Sequence, residues 1–225
     1  MTVSSDIRSV IADLRAEVAL LHAELPKNNL VSWTAGNVSA RVPGRNLMVI
    51  KPSGVSYDDL RADAMVVTDL HGALVEGSGA PSSDTAAHAY VYRHLPDVGG
   101  IVHTHSSYAC AWSAIGTPVP CVLTMMADEF GGDIPIGPFA LIGDDSIGQG
   151  IVDTLRGSRS PAVIMRNHGP FTIGRNARAA VKSAVMCEEV CRAVFLASQL
   201  GELVRIPADA IDALFDRYQH VYGQS

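Results

Sequence analysis

The sequence predicts a three-layer α/β fold, in which a central mixed or antiparallel β-sheet is flanked by helices on both sides. Segments with strand patterns alternate with segments of helical periodicity along the whole chain, which is the order expected when helices cover both faces of a sheet. The glycine fingerprint of a dinucleotide-binding fold is absent, and no Pro/Ser-rich linker or internal repeat divides the 225 residues. We therefore expect a single domain over residues 1–225.

Helices are predicted where apolar residues recur every three or four positions, and strands where short apolar runs lie between turns of small residues. The predicted helices are residues 6–24, 85–95, 107–115, 146–155, 177–200 and 208–218. The predicted strands are residues 34–40, 47–54, 65–69, 73–75, 101–105, 119–123, 134–136, 139–142 and 161–168. Pro26 is expected to stop the first helix, and His71-Gly72 to form the turn of a hairpin.

The composition indicates a globular protein with a small ligand. Hydrophobic residues make up 48% of the chain and charged residues 18%, which suits a sizeable core. The formal charge of −6 gives no footprint for nucleic acid or an anionic membrane. The four cysteines include no Cys-x-x-Cys pair, and the N-terminus lacks the basic start and apolar run of a signal peptide. We therefore expect a reduced, cytoplasmic protein.

Two histidines stand at alternate positions in the segment Ile-Val-His-Thr-His. Because successive side chains of a strand point to opposite faces, His103 and His105 are expected to project from one face, where two imidazoles suit a divalent metal ion. The segment 161–169 follows the same logic, since an apolar run delivers His168 at its polar end as the natural third ligand. The alternative for the first two is a pair of hydrogen-bonded core histidines.

Small-residue turns at Gly36-Asn37 and Pro52-Ser53-Gly54 are candidates for a phosphate site. Both turns can expose backbone N–H groups, and Lys51 adds a positive charge beside the second. A pair of ordinary turns explains the pattern equally well. The run Ser82-Ser83-Asp84 precedes a predicted helix, where it either caps the first turn or lies beside N–H groups that can receive an anion.

Asp128 and Glu129 stand beside apolar residues and a double glycine within residues 125–132. An acid against apolar side chains can have a raised pKa and can carry a proton. A solvated pair of acids in a loop is the commoner explanation of such a pattern. The residues alone leave both explanations open.

Six short motifs occur in order along the chain. They are Gly36-Asn37-Val38-Ser39, Lys51-Pro52-Ser53-Gly54, Pro81-Ser82-Ser83-Asp84-Thr85, His103-Thr104-His105-Ser106, Asn167-His168-Gly169-Pro170 and Val221-Tyr222-Gly223-Gln224. Together they resemble the class II aldolase family and, within it, the L-ribulose-5-phosphate 4-epimerases. The likeness runs from about Leu14 to the C-terminus, and the shared order makes it far more specific than any single motif.

The resemblance implies a zinc site, with Mn²⁺ or Co²⁺ as substitutes, and a site for a small phosphorylated sugar. The implied metal ligands are Asp84, His103, His105 and His168. The implied phosphate-binding residues are Asn37, Lys51, Ser53, Gly54, Ser82 and Ser83. Members of the family with this pattern are homotetramers with active sites at subunit interfaces. The proton carriers that match Asp128 and Tyr222 come from the neighbouring subunit.

Two positions bear on the choice between epimerase and aldolase. Aldolases of the family usually carry glutamate where this chain has Asp84, so Asp84 favours an epimerase. The best-known bacterial epimerases carry a further histidine on the last helix. The matching position here falls near Ile211, and the nearby His220 does not align with it. The choice of substrate therefore stays open on this evidence.

The implied activity is the interconversion of L-ribulose 5-phosphate and D-xylulose 5-phosphate. Because the hydrogen on C4 is not acidic, inversion there is easier by cleaving the C3–C4 bond, after which the aldehyde fragment rotates and is attacked from its opposite face. An aldolase on a related sugar phosphate, which releases the fragments, is the alternative. A non-catalytic protein that retains the fold is the second alternative, and metal analysis separates it from the other two.

Overall fold

An eight-stranded mixed sheet lies between two helical layers, as the sequence predicts. The computed structural model describes residues 5–220. Its helices are α1 (Ser5–His22), α2 (Glu24–Lys27), α3 (Thr85–His94), α4 (Ser107–Ile115), α5 (Thr124–Phe130), α6 (Ser146–Leu155), α7 (Ala177–Leu200) and α8 (Ala208–His220). Its strands are β1 (Asn37–Arg41), β2 (Leu47–Ile50), β3 (Val66–Asp69), β4 (Leu74–Glu76), β5 (Gly100–His103), β6 (Ile136–Gly137), β7 (Ala162–Met165) and β8 (Pro170–Gly174).

The strand order β4-β3-β2-β1-β5-β8-β7-β6 places β1, β5 and β8 at the centre of the sheet. All neighbouring pairs are antiparallel except β6 and β7, which are parallel. Asn37 is paired with His103 across β1 and β5, and His103 is paired with Phe171 across β5 and β8. This register brings side chains that are distant in the sequence onto one face of three adjacent strands.

The two faces of the sheet are buried under different helices. In β1, Val38 and Ala40 belong to the core under α1 and α7. Asn37 and Ser39 alternate with them and therefore point towards the face that α3 and α6 cover, although both are polar and almost fully buried. Buried polar side chains in a central strand need partners, and these are found on α3 and in the turn before it.

Most predicted elements are present, and the corrections have local causes. Pro26 lies inside α2 instead of stopping a helix, because the first turn of a helix does not need its N–H. Residues 119–123 form only an isolated bridge between Val119 and Ile134, and residues 139–142 are not a strand. Phe139 and Leu141 are more than half exposed, so an apolar run without a pairing partner was mistaken for a strand.

Two further elements differ from the sequence prediction. Residues 124–130 form α5, where a loop was considered, and the helix ends at Gly131 in a left-handed conformation. Strand β8 was not predicted, because Pro170 at its start suggests a turn. Within residues 5–220, none of the helices is long and apolar enough to cross a membrane.

Candidate metal centre

Three imidazole rings meet where the central strands end. His103 is the last residue of β5, His105 follows two residues later, and His168 lies between β7 and β8. Each ring offers one nitrogen, and the three nitrogens lie within 4.8 Å of one another. Nε2 of His105 is 2.9 Å from Nε2 of His103. We call these residues the histidine cluster, and their spacing suits a divalent cation.

His103 is held in an orientation that suits a metal ligand. Its Nδ1 donates to the carbonyl oxygen of Pro170 at 3.0 Å, which leaves Nε2 as the ligand atom. The ring stacks on Phe171, with 4.1 Å between the centroids. Burial lowers the pKa of His103 to about 3, although the charge of Asp84 opposes this shift. The imidazole is therefore neutral at neutral pH, as metal binding requires.

Backbone contacts fix the other two histidines. The amide of His105 donates to the carbonyl oxygen of Leu30 at 3.2 Å. Asn167, next to His168, has a φ of 55°, a left-handed conformation that asparagine adopts more readily than most residues. Its amide donates to the carbonyl oxygen of Ser113 at 3.0 Å. The predicted strand 101–105 extends two residues too far, because β5 ends at His103. His105 lies in the irregular segment between β5 and α4.

Glu188 on α7 supports the segment after His105, and the sequence analysis missed it. Its two carboxylate oxygens accept from the amides of Tyr108 and Ala109 at 2.9 and 3.0 Å. Ser106, the N-cap residue of α4, makes no side-chain cap bond, so Glu188 satisfies the first turn instead. The partners are 80 and 79 residues apart, so no local pattern could have revealed them.

Asp84 stands at the N-cap of α3 but makes no side-chain cap bond. Its Oδ2 accepts from Nδ2 of Asn37 at 2.7 Å, whereas its Oδ1 is buried without a hydrogen-bond partner among residues 5–220. Burial raises the pKa of Asp84, but nearby imidazoles, including His103 and His168, and the Asn37 amide lower it more, so the pKa lies below its ordinary value. An ionised carboxylate with an unpartnered oxygen beside three imidazoles fits a divalent cation.

Residues 52–54, one of the two turns predicted to bind phosphate, lie beside residues 81–83, the run that precedes α3. We call residues 52–54 and 81–83 the serine turns. An isolated bridge between Pro52 and Pro81 joins them, and the amide of Ser82 donates to the carbonyl oxygen of Lys51 at 3.0 Å. The amide of Ser53 donates to the carbonyl oxygen of Ala80, just before the second turn, at 2.8 Å. Both of these amides therefore hold the turns together and are not directed at a ligand.

Other polar groups of the serine turns face solvent. Ser53, Gly54 and Ser83 are exposed. Gly54 has a φ of 72°, a left-handed backbone conformation that glycine adopts without strain. Asn37 is buried and donates to Oγ of Ser82 at 3.0 Å as well as to the carboxylate described above. This amide thus links the serine turns to the candidate metal ligand.

Lys51 lies under the serine turns with 2% of its surface exposed. Its Nζ donates to the carbonyl oxygen of Thr34 at 2.7 Å and lies 5.1 Å from the ring centroid of Tyr57. Burial lowers the pKa of Lys51, whereas the charge of Asp84 acts in the opposite direction. An ammonium group has three donors, so two remain for an anion.

Of the two predicted proton carriers, the structure describes only Asp128, which does not contact the histidine cluster or the serine turns in any contact found among residues 5–220. Asp128 lies on α5, where its Oδ1 is 3.5 Å from Nη2 of Arg217 on α8, and Tyr222 lies outside the described residues. Glu129 is buried and paired with Nζ of Lys182 at 2.6 Å. The two acids therefore have different surroundings, and neither belongs to a solvated loop.

Comparisons with known proteins agree with this geometry. The family model described as class II aldolase and adducin N-terminal domain matches residues 16–195. An L-fuculose 1-phosphate aldolase has a TM-score of 0.86 and 26% identity, over 96% of this chain and 98% of its own. YgbL from Klebsiella pneumoniae, described as a candidate aldolase, epimerase or decarboxylase, has a TM-score of 0.80 and 29% identity, over 91% and 98% of the two chains.

A third structure extends the likeness at the level of the fold. The L-fuculose 1-phosphate aldolase from Glaciozyma antarctica has a TM-score of 0.79 at 19% identity, over 96% of this chain and 86% of its own. The sheet and its helical layers are therefore shared widely, and the matched residues of the family model include the histidine cluster, Asp84 and both serine turns. This chain belongs to the class II aldolase family.

Proposed function

We propose that the protein is a metal-dependent enzyme that breaks and re-forms a carbon–carbon bond of a phosphorylated sugar, and that it acts as an L-ribulose-5-phosphate 4-epimerase. Asp84, His103, His105 and His168 would hold the cation, with zinc as the expected metal. The serine turns, Lys51 and Asn37 would bind the phosphate. The arrangement of Asp84 carries the proposal, because its carboxylate is both fixed by Asn37 and left with one buried, unpartnered oxygen.

The fixed carboxylate limits which groups can carry protons in the proposed reaction. A carboxylate that is tied to a strand amide and serves a cation is poorly placed to carry protons to and from the substrate. Epimerisation at C4 needs one proton carrier on each side of the aldehyde carbon, so both must come from elsewhere. We assign these roles to Asp128 and Tyr222, from a neighbouring subunit of a homotetramer whose active sites lie at the interfaces.

The reaction follows from where the protein holds each end of the sugar. A divalent cation held by Asp84 and the histidine cluster would supply Lewis-acid stabilisation of the negative charge that develops on the oxygens at C2 and C3 when the C3–C4 bond breaks. Lys51 and the serine turns retain the phosphate of the aldehyde fragment, so that this fragment rotates but does not leave. One carrier takes the proton from the C4 hydroxyl before cleavage, and the other returns a proton to the new C4 hydroxyl on the opposite face.

Aldol cleavage with release of the fragments is the second candidate. The observation that favours it is the TM-score of 0.86 with an L-fuculose 1-phosphate aldolase at 26% identity. The two reactions share the metal, the phosphate site and the bond cleavage. They differ in which fragment carries the phosphate, which is the C1–C3 fragment of L-fuculose 1-phosphate but the aldehyde fragment of L-ribulose 5-phosphate. They also differ in whether the aldehyde fragment is released or is retained and attacked on its other face.

The test is to incubate the zinc-loaded protein separately with L-ribulose 5-phosphate and with L-fuculose 1-phosphate. We expect D-xylulose 5-phosphate from the first substrate, with little free glycolaldehyde phosphate, and no rapid release of an aldehyde from the second. Stoichiometric release of aldehyde from either substrate, without the 4-epimer, would establish the aldolase instead. Failure to bind any divalent metal would exclude both enzymes.

A further inference from the structure

A line of polar residues runs along α3 on the side that faces the sheet. Asp84, His88 and Tyr92 follow one another at intervals of four residues, so they lie on one face of the helix. The amide of His88 donates to the carbonyl oxygen of Asp84 at 3.0 Å, as in a regular helix. This face lies against Asn37 and Ser39, which point the same way from β1.

Hydrogen bonds connect this line to the strand at two levels. The first is the bond from Asn37 to Asp84 at 2.7 Å. At the second level, Oγ of Ser39 lies 2.8 Å from Nδ1 of His88 and 2.8 Å from the hydroxyl oxygen of Tyr92. Ser39 and His88 are fully buried, and Tyr92 is 1% exposed. Ser39, His88 and Tyr92 therefore form a buried hydrogen-bonded chain.

Two atoms at the end of this chain lack partners. Nε2 of His88 and Oδ1 of Asp84 are both buried without a hydrogen-bond partner among residues 5–220. A buried polar atom without a hydrogen-bond partner lowers the free energy of unfolding, so its presence in a folded protein requires an explanation. Asp84 and His88 are four residues apart at the start of α3, so their side chains are neighbours on one face of the helix and the chain ends beside the candidate metal ligand.

The protonation of the chain follows from burial. Burial lowers the pKa of His88 to about 4 and raises the pKa of Tyr92, so the imidazole is neutral and the phenol keeps its proton at neutral pH. A neutral imidazole has one N–H. If Tyr92 donates to Ser39, and Ser39 donates to Nδ1 of His88, the imidazole proton is on Nε2. The negative charge of Asp84 favours this tautomer.

We propose that His88 is a positioning residue for Asp84, and that the chain from Tyr92 through Ser39 fixes its imidazole so that the Nε2 proton stabilises the ligating form of the carboxylate. The inference rests on the proposed metal site but not on the reaction that the enzyme catalyses. Removing the chain should leave the histidine cluster in place and weaken metal binding through Asp84. Outer hydrogen-bond partners of metal ligands commonly change metal affinity by roughly 10–100-fold.

The test measures zinc affinity by competition with a chromogenic chelator, in the full-length protein, for Ser39→Ala, Tyr92→Phe and His88→Ala. We expect a loss of roughly 10-fold for Ser39→Ala and Tyr92→Phe, and a larger loss for His88→Ala. The visible absorption of the cobalt-loaded protein should change in the same order, because it reports the ligand geometry. If His88→Ala does not fold, the first two variants still decide the matter, since each removes only one hydroxyl.

Thr172→Val is the matched control. Its hydroxyl is also buried in a central strand and donates to the carbonyl oxygen of Ala180 at 2.8 Å, but on the face of the sheet that α7 covers. A general loss of packing would weaken zinc binding in Thr172→Val as much as in Ser39→Ala. We expect Thr172→Val to bind zinc like the original protein, and equal losses in the two variants would overturn the proposal.

A double-mutant cycle with Asp84→Ala tests the route of the effect. If His88 acts through the carboxylate, Ser39→Ala should change zinc affinity by less than roughly twofold once Asp84 is gone. A full, additive loss in that background would contradict the proposal. Measurements on the unsubstituted protein distinguish this inference from the proposed function. If that protein binds zinc but does not turn over sugar phosphates, the proposed reaction is wrong and the positioning role is unaffected.

Discussion

The histidine cluster and the serine turns are neighbours in the protein, but they are built in opposite ways. His103 is buried, stacked on an aromatic ring and bonded through its second nitrogen to a carbonyl group. In the serine turns, Ser53 and Ser83 are exposed, and the backbone amides of Ser53 and Ser82 are used to join the turns. One region is preorganised by the core, and the other presents exposed hydroxyl groups on turns that backbone hydrogen bonds join.

The difference matches what each half of the proposed sugar-phosphate substrate would require. A cation that stabilises charge at the reacting carbons must be held at fixed positions, because small displacements there cost rate. A phosphate remote from the broken bond only has to be retained, and exposed hydroxyl groups with one buried ammonium suffice for that. Asn37 joins the two regions, since its amide donates to Ser82 and to Asp84.

The largest effect should come from the preorganised region. His103→Ala should remove most bound zinc and nearly all activity, with a loss of affinity above the roughly 100-fold upper value for outer partners of metal ligands. Metal analysis after dialysis and steady-state assays measure both. His94→Ala is the control, because His94 is exposed and bonded only to its own helix. If His103→Ala, His105→Ala and His168→Ala all kept stoichiometric zinc and near-normal turnover, the metal assignment would be wrong.

Substitution of the proposed proton carriers should lower turnover without lowering the zinc content. Tyr222→Phe should keep zinc and the oligomer but lose roughly 10²–10⁴-fold in turnover, as expected when a general acid or base is removed. Asp128→Asn should behave alike. Rate and zinc content are measured on the same preparations, with Tyr218→Phe as the control. Full activity in Tyr222→Phe would refute its role and point to Tyr218, to His220 or to an aldolase that needs a single proton carrier.

Substitution of Lys51 in the proposed phosphate site should have a smaller effect, mainly on the binding of substrate. Lys51→Ala removes a charge-assisted contact worth about 1.5–3 kcal/mol, so we expect KM to rise roughly 10–100-fold with less change in kcat. The matched control is Lys27→Ala, which breaks an exposed pair with Glu24. Unchanged affinity for both the substrate and inorganic phosphate would remove Lys51 from the site. A large loss of zinc instead would mean that the two regions cannot be separated.

The smallest effect should come from the support behind the histidine cluster. Glu188→Ala removes the carboxylate that accepts from the first turn of α4, which should cost about 1 kcal/mol in the free energy of unfolding. The adjacent Glu189→Ala only breaks a half-exposed pair with Arg192, so it should cost less. Urea denaturation of the metal-free variants measures the difference. Equal stabilities would show that α4 does not depend on this cap.

The sequence by itself determined most of the helices and the residue types that form the candidate site. Residues 146–155 and 177–200 were predicted with the bounds that the structure has, because apolar periodicity and capping act within a few residues. Four of the six motifs contain the residues of the histidine cluster and the serine turns, and each of these motifs is a short local pattern. Local patterns failed where burial depends on a partner strand, as at residues 139–142 and at β8.

Only the tertiary structure decided how these pieces support one another. The bond from Asn37 to Asp84 spans 47 residues, and the bond from His103 to Pro170 spans 67. Glu188 reaches α4 across a similar separation, and Ser39 meets His88 because β1 lies beneath α3. Contacts of this kind depend on strand order and register, which many residues fix together through core packing. No single segment of the chain encodes them, so they became visible only once the sheet was assembled.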